Sequence, residues 1–439
     1  MSFVRQGVGT LTSRAIVFAA AFFSNVLIAR FLGPTGKGQI SLVIFTITIL
    51  INVAALGIPS ALVFHVGQKL HNARRLFGAS LVLYFFAVIV FTAIYLAAIP
   101  YLQGTIFSDL PPWLMYVVLL VFPTTLAARY AQHIALGLRH VFHYNLVMVI
   151  DRVAYVVLLL LILWGFERSV AGVVYAEVLG RLTACVVAVC LLLGALKPLF
   201  TFGRRELGAL LGYGLRAHLM LVIALISYRI GLYVLRYFHD AAIVGQYSIA
   251  LNVAEVLLFI PNSFGMILFA RTSSSTDEEA SRFTPIAARN VLALTLASAL
   301  VLGLVAPVLV PLVFGQAFRP SIALFLVLLP GVVTFALYRV LSYDLIGRGF
   351  PLRVSLASGA GLVANVGVAI LLVPRLGAMG AVCGNLAGYG LTTIIITYIF
   401  LRMTGNRLSD LILWKREDFR HYRNLLAKLR NGGPNLDGE

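Results

Sequence analysis

The chain has 439 residues, 61% hydrophobic and 11% charged, with mean hydropathy +0.97 and a formal net charge of +18 at pH 7. That is too little polar surface to coat a soluble globule, and the long apolar runs exclude a membrane barrel built of short alternating strands. The chain is therefore read as an all-α polytopic membrane protein, and its excess of Lys and Arg has to be explained by topology and by anionic partners.

A helix needs roughly 20 apolar residues to cross about 30 Å of hydrocarbon. Runs of that order predict about twelve transmembrane helices, at 11–31, 40–63, 78–100, 113–135, 142–164, 170–194, 210–235, 245–268, 288–312, 321–343, 353–373 and 379–401. The polar stretch from Lys197 to Glu206 divides them six and six, into lobes 1–200 and 201–402, followed by a basic tail, 403–439. The first apolar stretch runs directly into a second span, so it reads as an anchor and not as a cleavable signal.

The first connection, Gly33-Pro34-Thr35-Gly36-Lys37-Gly38, has a phosphate-loop flavour. It lacks both the four-residue spacing between glycines and the hydroxyl after the lysine that such a loop requires. It is read as a tight outer turn, with glycine free to take positive φ and proline stopping the helix. The outer stretch 31–39 has no acid and 100–112 has only Asp109, too few acidic groups for the acid–base or metal chemistry of a membrane glycosyltransferase. No loop is long enough for a nucleotide domain, and Cys185, Cys190 and Cys383 fall inside spans as small buried hydrophobes. The expectation is a non-enzyme without cofactor or metal.

Positively charged loops resist translocation. With the N-terminus inside, the inner segments hold Arg5, Lys69, Arg74, Arg75, Arg139, Lys197, Arg204, Arg205, Arg271, Arg282, Arg289, Arg348, Arg353 and the basic tail, and the outer ones only Arg30, Lys37, Arg168, Arg236, Arg319 and Arg375. Both termini are therefore placed in the cytoplasm (N-in/C-in). In the tail, Leu408, Leu411, Ile412, Phe419, Tyr422, Leu426 and Leu429 recur at helical spacing among basic residues. This predicts an amphipathic helix on the cytoplasmic face, touching anionic membrane lipids. No nucleic-acid recognition module accompanies the charge.

The halves repeat one another. Gly38-Gln39-Ile40-Ser41-Leu42, Asn52-Val53-Ala54 and Ile58-Pro59-Ser60 return in order, about 200 residues later, as Gly245-Gln246-Tyr247-Ser248-Ile249, Asn252-Val253-Ala254 and Ile260-Pro261-Asn262. Duplicated bundles of this kind are characteristic of transporters. Pro59 and Pro261 are candidate hinges, bending matching helices in the two halves, unless they are merely tolerated.

Ionised groups in hydrocarbon are costly and mark function or pairing. Arg14, Arg129, Arg152, Arg181, Arg216, Arg229 and Arg339 lie in or at the ends of spans, against Asp151, Glu177 and Glu255, with Asp344 at an edge. A surplus of guanidinium forks calls for an anion from elsewhere, and phosphate oxygens suit it. Glu177 and Arg181, at i and i+4, are open to simple mutual neutralisation. Arg14, Arg129, Arg216 and Arg339 are near span ends, where a long side chain either reaches headgroups or faces a ligand. Arg229, deeper in Ser227-Tyr228-Arg229-Ile230, points to a water-filled cavity ahead of a structural pairing. Asp151 and Arg152 are adjacent, their side chains about 100° apart on a helix, so each is expected to find its own partner. Glu255, beside Asn252, reads either as a proton or sodium coupling site or as a fixed counterion.

Several of these segments carry a family resemblance. Ile28-Ala29-Arg30-Phe31-Leu32-Gly33-Pro34-Thr35-Gly36-Lys37-Gly38, Tyr228-Arg229, Gly245-Gln246-Tyr247-Ser248, Ile267-Leu268-Phe269-Ala270-Arg271 and Pro374-Arg375-Leu376-Gly377-Ala378-Met379-Gly380 resemble polysaccharide-exporting flippases. These belong to the multidrug, oligosaccharidyl-lipid and polysaccharide (MOP) exporter superfamily, and the likeness covers residues 5–402. It implies two pseudo-symmetric six-helix lobes around a central cavity that opens alternately to either side. It further implies a monomer in the bacterial cytoplasmic membrane that moves isoprenoid (undecaprenyl) pyrophosphate-linked oligosaccharide from the inner to the outer leaflet. A polysaccharide polymerase is a partner on the same ground alone. Arg229, Arg152, Arg14, Arg216, Arg129 and Arg339, in that order, are then the candidates for pyrophosphate contact. His239-Asp240-Ala241-Ala242 stands where the first half has its Gly-Pro turn, so the halves have diverged. The alternatives are an ion-coupled drug antiporter of the same superfamily, whose cationic cargo suits a basic interior poorly, and a non-transporting scaffold subunit.

Overall fold

The structure is a computed structural model in which residues 3–68, 72–165, 168–195 and 203–413 are described. Among the described residues there is no strand. The helices are α1 (Phe3–Ala54), α2 (Ile58–Gly67), α3 (Ala73–Thr105), α4 (Trp113–Gly137), α5 (Val141–Gly165), α6 (Val170–Ala195), α7 (Arg204–Phe238), α8 (Ala241–Leu257), α9 (Phe259–Thr272), α10 (Asp277–Phe314), α11 (Ser321–Gly347), α12 (Pro351–Leu376), α13 (Ala378–Thr404) and α14 (Leu408–Ile412). Ten of the twelve predicted spans fall within a single helix, while 40–63 and 245–268 run across the breaks between α1 and α2 and between α8 and α9. By length and composition nine helices among the described residues suit a membrane crossing, or ten if α8 and α9, bent by 42°, form one span. Helix is what hydrocarbon demands, because every backbone N–H and C=O must find its partner within the segment.

The breaks between helical segments are where local chemistry shows. Within α1 a single residue, Gly33 at φ 64, reverses the path, and helix resumes at Pro34. Glycine takes the left-handed conformation without a Cβ clash, and proline at the start of a helix gives up an N–H that has no partner there anyway. The turn expected over residues 33–38 thus shrinks to one residue. Lys37, assigned to an outer loop, is instead helical and only 3% exposed.

The second break is made by Leu56 and Gly57, at φ 49 and 68, with Gly57 capping α2 and Pro59 in its first turn. In the second half the break falls at Leu258, and Pro261 is the third residue of α9. The bend therefore precedes each proline, and both prolines start a helix where the sequence suggested a bend within one. Cys190 is exposed, and Cys185 and Cys383 are half-buried, where burial was expected for all three. A thiol facing hydrocarbon costs little, so a membrane helix need not hide it. Most of the expected break at Lys197–Glu206 and the tail from 414 onward lie outside the described residues.

The chain forms two compact units. The first comprises Met1–Ala250, Pro307–Leu324 and Val366–Gly384, and the second Leu251–Ala306, Phe325–Asn365 and Asn385–Glu439. In the first, α6 packs on α4 and α5, α1 on α5, and α2 on α4 and α7. Lipid tails are as apolar as leucine, so these contacts rely on close packing over small residues more than on solvent exclusion. A Cβ on Gly180 would lie 3.0 Å from the Cα of Tyr155, and one on Gly137 2.8 Å from the Cβ of Val66.

The closest of these approaches joins the two repeated motifs. A Cβ on Gly38 would strike the Ala241 carbonyl and come within 2.9 Å of the Gly245 nitrogen. One on Gly245 would strike the Pro34 carbonyl and come within 3.0 Å of the Gly38 nitrogen. Equivalent glycines of the two halves thus cross against each other.

In the second unit Gly265 admits the ring of Tyr343, and Asn365 donates to Asn385 at 2.9 Å in a fully buried amide pair. Asp344, with no exposure, accepts from Thr284 (2.7 Å), Thr272 (3.3 Å) and Arg348 Nε (2.8 Å). Arg348 in turn reaches Asp277 at 3.1 Å, so the acid expected at a span edge is a structural tie between helix ends.

Gly245→Val is expected to lower the melting temperature in detergent and cost about 1–3 kcal/mol, the usual range for forcing methyl groups into filled space. Gly208→Val, on α7 where nothing lies within 4 Å of the added Cβ, should change it little. Fluorescence-detected unfolding of the two variants checks this.

Candidate functional site: a charge cluster among α1, α4, α5 and α6

Five of the intramembrane charges gather in the first unit. Asp151 and Arg152 come from the middle of α5, Glu177 and Arg181 from α6, and Arg129 from α4. Arg181 is the hub. Its Nε donates to Glu177 at 2.9 Å and its Nη1 to both oxygens of Asp151 at 2.8 Å. The i, i+4 neutralisation of Glu177 is therefore present, and Arg181 satisfies a second carboxylate as well.

The adjacent pair Asp151 and Arg152 was expected to separate. The structure corrects this: Arg152 Nε lies 3.5 Å from Asp151 Oδ2. The long guanidinium arm bends back across the 100° gap. Even so the contact is looser than a hydrogen bond, because the Asp151 oxygens are already held by Arg181.

Arg129 donates through Nη1 to the side-chain oxygen of Asn52 at 3.0 Å, next to the break between α1 and α2. It lies within electrostatic reach of Arg181, Asp151 and Arg152. That contact is an inward one, not the headgroup reach considered for a residue near a span end. Three guanidiniums thus share two carboxylates, leaving one positive charge over.

Among the described residues Arg152 makes no hydrogen bond, and its side chain is 33% exposed. Arg129 has one neutral partner. The buried Tyr155 hydroxyl, within reach of Glu177, Arg152 and Arg181, has no hydrogen-bond partner among the described residues. The site thus offers spare donors on a net positive background, suited to an anion with several oxygens.

A second cationic place lies between α1 and α7. Half-buried Arg229 is within electrostatic reach of Lys37, whose ammonium is hydrogen-bonded to Asn25 across the Gly33 turn. One turn beyond Arg229, Tyr233 bonds Thr46 and packs on Phe45 at 5.7 Å, fixing α7 against α1. Lys37 is the residue the sequence reading missed. The available signal was that a Gly-Pro pair alone can turn a chain, which leaves the lysine inside the returning helix.

The remaining candidates come from other parts of the chain. Arg14 is exposed on α1, and Arg216 is on α7. Glu255 is half-buried on the last turn of α8, just before the break ahead of Pro261. Arg339, on α11 in the second unit, lies over the ring of Phe335 at 5.5 Å. Phe335 in turn packs on Tyr338 and Tyr389.

Arg181→Gln is expected to destabilise the fold by about 3 kcal/mol, since it strands the buried Glu177 and leaves the half-buried Asp151 with only the looser Arg152 contact. Adding Asp151→Asn and Glu177→Gln should recover most of the loss. Thermal unfolding of the single and triple variants measures both.

Residues 3–274 match the family model described as polysaccharide biosynthesis protein. No curated protein sequence matches the chain. Among solved structures, a multidrug resistance MATE family transporter of the MOP superfamily in an inward-facing conformation superposes with TM-score 0.70 at 16% identity, covering 91% of this chain and 98% of the other. The lipid II flippase MurJ, in an inward closed conformation, gives TM-score 0.61 at 12% identity, covering 97% and 96%. A MOP superfamily transporter from Pyrococcus furiosus Vc1 (DSM3638), whose reversed binding-pocket polarity suggests a different function, gives 0.63 at 17%, covering 91% and 95%. The chain belongs to the polysaccharide biosynthesis protein family and has the fold of the MOP-superfamily transporters.

Proposed function

We propose that the protein is a flippase that carries isoprenoid pyrophosphate-linked oligosaccharide from the inner to the outer leaflet of the bacterial cytoplasmic membrane, for polysaccharide assembly. The observation that carries this reading is the surplus guanidinium of the α4–α5–α6 cluster. Arg129 and Arg152 keep donors to spare in a place where an ionised group is costly unless a ligand uses it. Two arginines presenting forked donors match the several oxygens of a pyrophosphate. The family is that of polysaccharide biosynthesis proteins, and a lipid II flippase shares the fold. A pump for cationic drugs would be poorly served by a net positive site.

Arg229 and Lys37 form a second contact on this reading, taking the substrate as it passes α1 and α7. Arg14, Arg216 and Arg339 are the lesser candidates. Glu255 is the coupling residue for protons or sodium, and the breaks ahead of Pro59 and Pro261 are the hinges. The protein acts as a monomer on a lipid-linked oligosaccharide and hands its product to a polymerase. The protein itself performs no covalent chemistry, and the proposal involves no cofactor.

Arg152→Gln and Arg129→Gln should each lower export about tenfold or more, the equivalent of one lost charge-assisted hydrogen bond, with thermal stability kept. Native mass spectrometry of the gently purified protein should find a polyprenyl pyrophosphate oligosaccharide on the wild type, and less on either variant. Retention of bulk phospholipid alone, with full export by both variants, would discard the pyrophosphate site.

In vesicles, Glu255→Gln should abolish the dependence of export on the ion gradient. An unchanged dependence removes Glu255 from the coupling role.

A further inference from the structure

Two arginines outside the charge cluster make contacts that repeat across the duplication. Arg30, at the end of the first segment of α1, donates Nε to the Val313 carbonyl at 2.9 Å and Nη2 to the Leu312 carbonyl, both in the last turn of α10. Arg236, at the end of α7, donates Nε to the Ile106 carbonyl at 2.9 Å, on the residue that caps α3. Ile106 and Val313 are 207 residues apart, as are Gly38 and Gly245, while Arg30 and Arg236 differ by 206. The two contacts are therefore images of each other: each half's first span caps the third span of the other half. All of these residues belong to the first compact unit.

The chemistry is that of a helix end. The last carbonyls of a helix lack intrahelical donors and carry partial negative charge, which a cation relieves. Neither α3 nor α10 has a basic residue in its own last turn, so the cation is supplied from the opposite half.

Arg236 is buried and also holds Asp109 at 2.8 Å, Ser108 at 2.9 Å and the His239 carbonyl at 3.1 Å. Arg30 has no carboxylate partner among the described residues, and its fork is committed to the two carbonyls. Beside it, Phe22 meets Phe314 edge to face at 6.1 Å. The Gly38–Gly245 crossing joins the two helical segments that follow these arginines in the chain. All these atoms sit at the ends of the first segment of α1, of α3, α7 and α10, or at the starts of the segments that follow α1's turn and α7; counted along the predicted spans, that is the side opposite the N-terminus.

We propose that Arg30 and Arg236 are reciprocal caps that hold the transport path shut on the face opposite the N-terminus, with the Gly38–Gly245 crossing as its seal. Because each cap is made by one sequence half upon the other, a shift of the halves there breaks both together. Bonds made within a half survive such a shift. Opening on that face therefore requires both arginines to release their carbonyls, and their loss favours the open form. This rests on alternating access alone and is independent of what is carried.

The test uses the full chain in right-side-out vesicles, with Cys185, Cys190 and Cys383 replaced by serine and Ser248→Cys as the reporter. Ser248 has no exposure and lies one turn below the crossing. Ser80→Cys, at 1% exposure near the opposite end of α3, serves as the reference in a parallel chain.

With no substrate added, R30Q/R236Q should raise the rate of Ser248→Cys labelling by a membrane-impermeant maleimide about tenfold, with each single variant intermediate and the Ser80→Cys rate unchanged. An unchanged Ser248→Cys rate overturns the proposal. So does an equal rise at both reporters, which would make the arginines general stabilisers of the fold. Because no substrate is present, a failure here says nothing against the pyrophosphate site, and loss of that site leaves this result standing.

Discussion

The cost of an unmatched charge or backbone polar group in hydrocarbon governs this structure more than any other term. Most of the polar groups inside it are matched with some care. Arg181 serves Asp151 and Glu177 together, Asp344 is held by two threonines and Arg348, and Asn365 pairs with Asn385. Each arrangement converts a liability into a fixed contact between helices. Against that background, Arg152 at 3.5 Å from an acid already engaged, and Arg129 on a neutral amide, are under-used cations. A guanidinium at depth needs acids, backbone carbonyls, water or a ligand to engage its donors, and these two keep donors over. That is the physical basis for assigning them to a substrate.

The duplication has a related explanation. Most of the sequence likeness between the halves has drifted away, yet Gly38-Gln39 and Gly245-Gln246 persist, and the structure sets those two glycines against each other. At that crossing any side chain would meet the opposite backbone, so the position admits glycine in both copies. Positions facing lipid have no such restriction, because any apolar residue of any shape will do. The same logic applies to the cross-half caps. A carbonyl at a helix end has to be met by a donor with reach, and arginine is retained in both halves although the turns after it, Gly33-Pro34 and His239-Asp240, differ completely.

How much could be read beforehand follows from which interactions are local. The all-helical membrane fold was legible, because hydropathy over about 20 residues is a property of the segment itself, whereas only nine or ten of the described helices suit a crossing by the same measure. The Glu177–Arg181 pair was legible for the same reason, being set by helical spacing. What escaped depended on three bodies or on one torsion. Lys37 was misplaced because the Gly33 reversal takes one residue, which only the backbone angle reveals. Arg152 was denied a contact with Asp151 because adjacent side chains diverge on an ideal helix, whereas a long flexible arm does not follow the Cβ direction. The proline breaks were located to within a few residues, but the bend was assigned to the proline and not to Leu56-Gly57 or Leu258 before it. Arg30 and Arg236 were counted only as outer-loop charges, since their carbonyl partners lie far away in sequence.

The fold alone does not decide what is carried, since a multidrug transporter and a lipid II flippase both superpose on this chain. Discrimination has to come from the site, and there the sign of charge is the coarsest and most dependable filter. A cation entering a place where three guanidiniums face two carboxylates meets net repulsion, in surroundings where water screens it poorly. An anion meets attraction and finds donors whose desolvation has already been met by folding. A pyrophosphate also carries its charge at the end of a long apolar tail that lipid can accommodate, so only the charged junction and the sugars need a polar path. A few well-placed arginines in an otherwise apolar bundle are enough for such a cargo.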